Sequence, residues 1–133
     1  MSIVVDASIA VKWFSDEARS EQAEAILLDA QPIVAPDLIL AEIGSALAQK
    51  VNAKILPRPQ AMAAIADAPL YFDRLVPLAE LTARATELAI EFRHPIYDCF
   101  YLALAEREKV EFVTDDKKLF AVAKKAKVKV RAL

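Results

Sequence analysis

The stretch that most constrains this chain is Ile96-Tyr97-Asp98-Cys99-Phe100-Tyr101-Leu102-Ala103-Leu104-Ala105, which follows His94-Pro95. Proline is tolerated at or before the first turn of a helix, so a helix is expected to begin just after Pro95. At about 100° per residue, the run from Cys99 to Ala105 reaches every side of that helix and marks it as buried nearly all round. Such a helix needs packed layers about it, and the rest of the chain must supply them. Asp98 stands at its mouth. A carboxylate there is costly to desolvate unless the helix N-terminus, a hydrogen bond or a cation compensates it. Taken alone, Asp98 reads as an N-cap, a position that aspartate favours.

Composition narrows the classes. Residues 1–133 suit one domain with a single sizeable core, and an apolar fraction of 56% is incompatible with disorder. No apolar run approaches the roughly 20 residues of a membrane span, and Ile3-Val4-Val5 is too short for a signal peptide. A soluble, cytoplasmic protein with no membrane partner is expected. The single cysteine, Cys99, cannot form an internal disulfide and reads as a small core residue. The single histidine, His94, excludes histidine-rich zinc sites and confines any Ser-His-Asp machinery to a residue beside Pro95. Gly44 is the only glycine, which excludes the dinucleotide-binding fingerprint and the Walker loop.

Net charge is −2, yet Lys117 to Leu133 holds Lys117, Lys118, Lys124, Lys125, Lys127, Lys129 and Arg131 with no acid. This cationic end suits a phosphate backbone. It equally suits a guarded sheet edge, because Val128-Lys129-Val130-Arg131 alternates like a strand.

In order along the chain, Ser2–Val5 reads as a buried strand that ends in Asp6, and Ala7–Phe14 as helical, with Ser8 placed to cap the helix or hold the acid. Trp13 and Phe14 read as packing residues, with a partner groove as the lesser reading. Asp16–Ala30 is a second amphipathic helix, Pro32–Ala35 a brief strand, and Pro36 opens a helix to about Asn52 with Leu40, Ile43, Leu47 and Val51 as its stripe. Glu42 lies off that stripe near Ser45 and Gln49, so periodicity alone makes it solvated. Pro57-Arg58-Pro59 breaks the chain before a helix over Gln60–Asp67. Tyr71–Val76 is a strand, Leu78–Arg93 a helix, Glu111–Thr114 a buried strand ending at Asp115 and Asp116, and a short helix to about Lys125 precedes the last strand. The alternation predicts an α/β fold with a mostly parallel sheet of four to five strands covered on both faces.

Asp6 and the Asp115/Asp116 pair thus fall at carboxyl ends of strands, where open α/β sheets gather functional groups. Like charges about 4 Å apart repel by roughly 4 kcal/mol at an effective dielectric near 20. Several such pairs rival the roughly 5–15 kcal/mol that holds a domain together, so the acids either take up protons or share a hard cation. Oxygen-only donors favour Mg²⁺ or Mn²⁺, and such a site suits phosphodiester hydrolysis better than acyl transfer.

Four segments carry a resemblance: Ile3-Val4-Val5-Asp6-Ala7-Ser8, Pro36-Asp37-Leu38 through Glu42, Ile96 through Ala105, and Val113-Thr114-Asp115-Asp116-Lys117-Lys118-Leu119. Their order and spacing are similar to the successive motifs of PIN-domain ribonucleases, most closely the VapC-like toxins of prokaryotic toxin–antitoxin pairs. The resemblance implies Mg²⁺- or Mn²⁺-dependent endonucleolytic cleavage of RNA, a three-layer α/β/α fold, a homodimer and a cognate VapB-like antitoxin. It makes Asp6, Glu42, Asp98 and Asp116 the acidic quartet, with Asp6, Asp98 and Asp116 on the metal and Glu42 orienting the attacking water. Ser8 and Thr114 become supporting polar groups. Asp115 stands as the alternative to Asp116, although the family pattern of threonine, variable residue and aspartate favours Asp116.

Two other classes bear on the same residues. A catalytically silent PIN-like binding module would act through a protein partner, with Trp13, Phe14 and the alanine-rich helices as a groove for an amphipathic helix. A phosphotransfer domain of the receiver type wants two adjacent acids after the first strand, and Asp6-Ala7 lacks the second.

Overall fold

The computed structural model describes residues 1–133. Five short strands, β1 (Ile3–Val5), β2 (Ile33–Pro36), β3 (Arg74–Val76), β4 (Glu111–Thr114) and β5 (Val130–Ala132), form one sheet in the order β3-β2-β1-β4-β5. Every neighbouring pair is parallel. The helices are α1 (Ala7–Ala10), α2 (Ser20–Leu28), α3 (Leu38–Asn52), α4 (Arg58–Asp67), α5 (Thr82–Phe92), α6 (Ile96–Glu108) and α7 (Lys117–Lys125). Right-handed crossovers in this strand order carry α2–α4 over one face and α5–α7 over the other, which gives the three layers. From β1 the chain winds toward β2, and from β4 toward β5. The crevice beyond the carboxyl ends of β1 and β4 is therefore the topological switch point, where ligands of open α/β sheets bind.

The apolar run behaves as its all-round pattern requires. Every residue from Cys99 to Ala105 is buried, and α6 packs on β1, β2 and β4 with α5 alongside. Trp13 and Phe14 join Tyr71 and Phe72 in an aromatic cluster with ring centroids 5.0–6.5 Å apart, and Trp13 Nε1 donates to Ala23 O at 2.9 Å. They are packing residues, as first read.

Several boundaries shift for local reasons. The helix expected from Asp16 begins at Ser20, because Ser20 Oγ donates to Ser15 O and accepts Glu17 N–H, closing a loop that ends with Arg19 at φ 65°. Pro36 ends β2 instead of opening α3, in register with Val76, whose carbonyl takes the next N–H, that of Asp37. Helix α4 starts at Arg58 with Pro59 in its first turn, where proline costs no hydrogen bond. The strand expected over Tyr71–Val76 keeps only Arg74–Val76, since Ala68–Tyr71 closes a 3₁₀ turn. Another 3₁₀ turn, Leu78–Glu80, precedes α5. At the edge, Lys129 and Arg131 of the β5 region point outward, and Arg131 Nε pairs with Glu111 Oε1 at 3.1 Å, which fits the guarded-edge reading. No helix is long and apolar enough to cross a membrane.

Candidate active site

Asp6 leaves β1 at the switch point and is only 5% exposed. Its carboxylate accepts three hydrogen bonds: Ser8 Oγ to Oδ1 at 2.5 Å, Ile9 N to Oδ1 at 3.3 Å, and Thr114 Oγ1 to Oδ2 at 2.5 Å. Both hydroxyls are themselves held by backbone, since Asp115 N–H donates to Ser8 Oγ at 2.9 Å and Asp116 N–H to Thr114 Oγ1 at 3.0 Å. A hydroxyl that accepts an N–H has its single proton to give, so two matched relays aim protons at the two oxygens of Asp6. Of roughly four lone-pair positions on the carboxylate, one is left open. Burial nevertheless pushes the Asp6 pKa from 3.8 up to about 7 against these hydrogen bonds, and the Asp98 charge adds to the rise.

Asp98 and Glu42 complete the group. Pro95 occupies the N-cap position of α6, so Asp98 sits inside the first turn and makes no cap bond, correcting the capping reading. The caps are Asp6 on α1 and Asp116 on α7, the latter accepting Leu119 N–H at 2.9 Å. Asp98 Oδ2 instead meets His94 Nε2 at 2.7 Å. Glu42 projects from α3 and accepts the Tyr101 hydroxyl on Oε1 at 2.5 Å. Burial raises the Glu42 pKa, Tyr101 opposes the rise and the Asp98 charge adds to it. Burial likewise lifts Tyr101 well above its usual range, so its hydroxyl stays a donor. The solvated reading of Glu42 is thereby overturned: across the crevice from α6, position on the α3 wheel does not decide exposure.

Asp115 and Asp116 part ways. Asp115 points to cations, with Arg19 Nε and a terminal guanidinium nitrogen each at 2.8 Å and Lys12 Nζ at 3.3 Å. Asp116 is exposed at the rim, free of ion pairs, and joined to Asp6 only through Thr114. Of the two acids, Asp115 is compensated by cations and Asp116 is not. Tyr101, His94 and the two backbone N–H groups escaped the sequence reading. Tyr101 lies three residues after Asp98 in the same helix, a spacing that could have pointed to it, whereas His94 precedes Pro95 outside that helix.

No three of these side chains are gathered tightly enough to enclose a metal ion by themselves. Mg²⁺ does not need such a cage, because it keeps several waters and is commonly held by one or two carboxylates together with substrate phosphates. The donors are all oxygen, Asp6 and Glu42 are desolvated, and the Asp98 charge repels both, which is the chemistry of a hard divalent cation. The residues fit such a cation.

Residues 3–125 match the family described as PIN domain. The chain belongs to the PIN domain family. Along this PIN domain, ribonuclease VapC3 of Pyrobaculum aerophilum is 31% identical over 121 residues, covering 90% of this chain and 92% of its own. In fold the PIN domain is similar to VapC20 of Mycobacterium tuberculosis, a sarcin-ricin loop cleaving toxin, with a TM-score of 0.73 at 21% identity, covering 90% of this chain and 94% of that one. It is also similar to VapBC2 of Rickettsia felis bound to a DNA fragment from its promoter, with a TM-score of 0.73 at 16% identity, covering 100% of this chain and 99% of that one. The α/β architecture expected of the family is the one found.

Proposed function

We propose that this chain is an endoribonuclease that hydrolyses RNA phosphodiester bonds with Mg²⁺ or Mn²⁺, acting in the cytoplasm as the toxin of a toxin–antitoxin pair. The observation that carries the reading is Asp6: a buried carboxylate at the switch point, flanked by Asp98 and Glu42 with no lysine or arginine paired to any of them. The likeness to a ribonuclease over most of both chains supports the reaction class. The fold neighbour described as VapBC2 supports an antitoxin partner, and a homodimer is the family's implied assembly.

Asp6, Asp98 and Asp116 would hold the cation. When bound, it supplies Lewis acidity toward a phosphoryl oxygen and screens the carboxylates from one another. Ser8 and Thr114 keep Asp6 oriented through their relays. Tyr101 fixes one oxygen of Glu42, which leaves the other to orient and deprotonate the attacking water. His94, just ahead of α6, holds Asp98 and fixes the side chain that faces both other acids.

Purified protein freed of any partner is expected to cut RNA with Mg²⁺ or Mn²⁺, to stop in excess EDTA, and to lose cleavage in Asp98→Asn. Undiminished cleavage in EDTA or in Asp98→Asn would overturn the proposal. Uptake of the cation with RNA left intact would favour a silent binding module.

A further inference from the structure

The largest cleft of the molecule, about 660 Å³, opens directly from the acidic group, since Ser8 and Glu42 form one end of its wall. From there it follows α3 outward past Ser45 and Gln49 to Lys50, with Lys12 and Glu17 on the opposite side. Glu42, Ser45 and Gln49 recur at three and four residues and so share one helix face. Gln49 stands about 10 Å along the axis from Glu42 at 1.5 Å per residue, enough for a strand to continue beyond a phosphate held at the acids. Ser45 and Gln49 are exposed, and no side-chain hydrogen bond engages either.

The two lysines in the cleft differ. Lys12 is buried, donates to Glu17 Oε1 at 3.2 Å and pairs with Asp115 at 3.3 Å, so it is tied into the protein. Lys50 pairs with Glu17 Oε2 at 2.9 Å and has no second carboxylate. Its side chain is 21% exposed on the cleft wall. Lys50 thus has a single ionic partner and lies beside an open channel, where a phosphate oxygen would compete with Glu17 for its ammonium group.

We propose that this cleft seats the RNA strand beside the scissile phosphate, with Lys50 passing from Glu17 to a backbone phosphate and Ser45 and Gln49 hydrogen-bonding the sugar–phosphate chain. The proposal rests on the ribonuclease reading above. Glu17 acts as a counter-ion that competes with the strand for Lys50, so removing either partner has opposite consequences for binding. A purely structural ion pair lacks this property.

The test is the binding of a short fluorescent single-stranded RNA of mixed sequence in EDTA across a salt series, with cleavage kinetics in Mg²⁺ alongside. Lys50→Gln is expected to weaken binding about tenfold, to flatten the slope of log affinity against log salt by about one, and to appear in KM. Glu17→Gln is expected to tighten binding about threefold, and Lys50→Arg, which keeps the cation, to bind like the parent. Parallel weakening in Lys50→Gln and Glu17→Gln, or no change in Lys50→Gln, would overturn the assignment. Should Glu17→Gln misfold around the buried Lys12, the contrast between Lys50→Gln and Lys50→Arg decides alone. A parent protein that neither binds nor cuts RNA fails the ribonuclease reading itself, whereas a parent that cuts RNA beside an inert Lys50→Gln fails only the cleft.

Discussion

At the carboxyl edge of the sheet, the Asp115 region and the Asp6 region each collect carboxylates against a low-dielectric core, with opposite outcomes. Asp115 and Glu17 face Lys12, Arg19 and Lys50 at 2.8–3.3 Å. Hydrogen bonding from Arg19 holds the Asp115 pKa below the usual range against its burial, with Lys12 assisting. Burial pushes Glu17 up, but Lys50 and Lys12 outweigh it and hold that carboxyl low as well. Asp6, Glu42 and Asp98 have one nitrogen base among them, His94 on Asp98, and burial raises both Asp6 and Glu42. The first group is a clamp in which three cations face two carboxylates, so each acid is compensated within the protein. The second is short of positive charge, a deficit that structure alone would not maintain and that a cation and a substrate would fill.

The comparison breaks first at Asp6. Asp6→Asn is expected to reduce RNA cleavage roughly a thousandfold, the scale of losing a preorganised electrostatic group. In EDTA at about pH 8 it is expected to melt no lower than the parent, because the costly buried charge is gone. Asp115→Asn should do the reverse, melting lower while its backbone N–H still serves Ser8 and cleavage stays within about tenfold. Thermal melts and initial rates on the three proteins decide it, and equal destabilisation by both substitutions would make the two regions alike.

The pH dependence of metal-free stability sharpens the contrast, because the regions act with opposite sign. Native Asp6 keeps its proton up to about pH 7 whereas the unfolded chain releases it near 3.8. Its contribution is therefore whole below 3.8, falls by roughly 4 kcal/mol as pH rises to about 7, and is flat beyond. Asp115 and Glu17, with lowered pKa values, stabilise above the ordinary carboxylate range and lose that contribution as pH falls through their native values. Urea unfolding in EDTA should therefore find greatest stability in mildly acidic solution, with the decline toward neutrality much reduced in Asp6→Asn and the remainder due to Glu42. At about pH 8, Mg²⁺ should raise the melting temperature of the parent. Superimposable profiles for parent and Asp6→Asn would exclude Asp6 as the source.

Much of this was legible in the chain itself. Short β-branched runs alternating with amphipathic helices have few arrangements other than a parallel sheet, and the all-round run at Cys99–Ala105 required burial. The acids at Asp6 and Asp116 were placed by the ends of the strands that precede them. Glu42 was not, because its partner Tyr101 comes from α6 and only the folded crevice brings α3 and α6 together. The fates of Asp115 and Asp116 were equally hidden: adjacent in sequence, they differ because Arg19 leaves its loop at φ 65° and reaches only one of them. Helix starts at Ser20 and Leu38 were misplaced where one loop hydrogen bond or one strand register outweighed periodicity.

The smallest effect is expected at Arg19, and it tests whether the regions are independent. Arg19 is 46% exposed and grips Asp115 with two hydrogen bonds, while the less exposed Lys12 holds the same carboxylate from the other side. An exposed pair contributes little and is screened by salt. Arg19→Gln is therefore expected to lower the melting temperature slightly, chiefly at low ionic strength, with turnover within about twofold of the parent. Ser8→Ala removes a relay to Asp6 directly and is expected to cost about 10–100-fold in turnover. The link between them is Asp115, whose side chain belongs to the clamp and whose N–H orients Ser8. If turnover in Arg19→Gln falls as far as in Ser8→Ala and salt deepens the loss, the clamp is setting the direction of the Ser8 proton. The compensated region would then be the outer support of the uncompensated one.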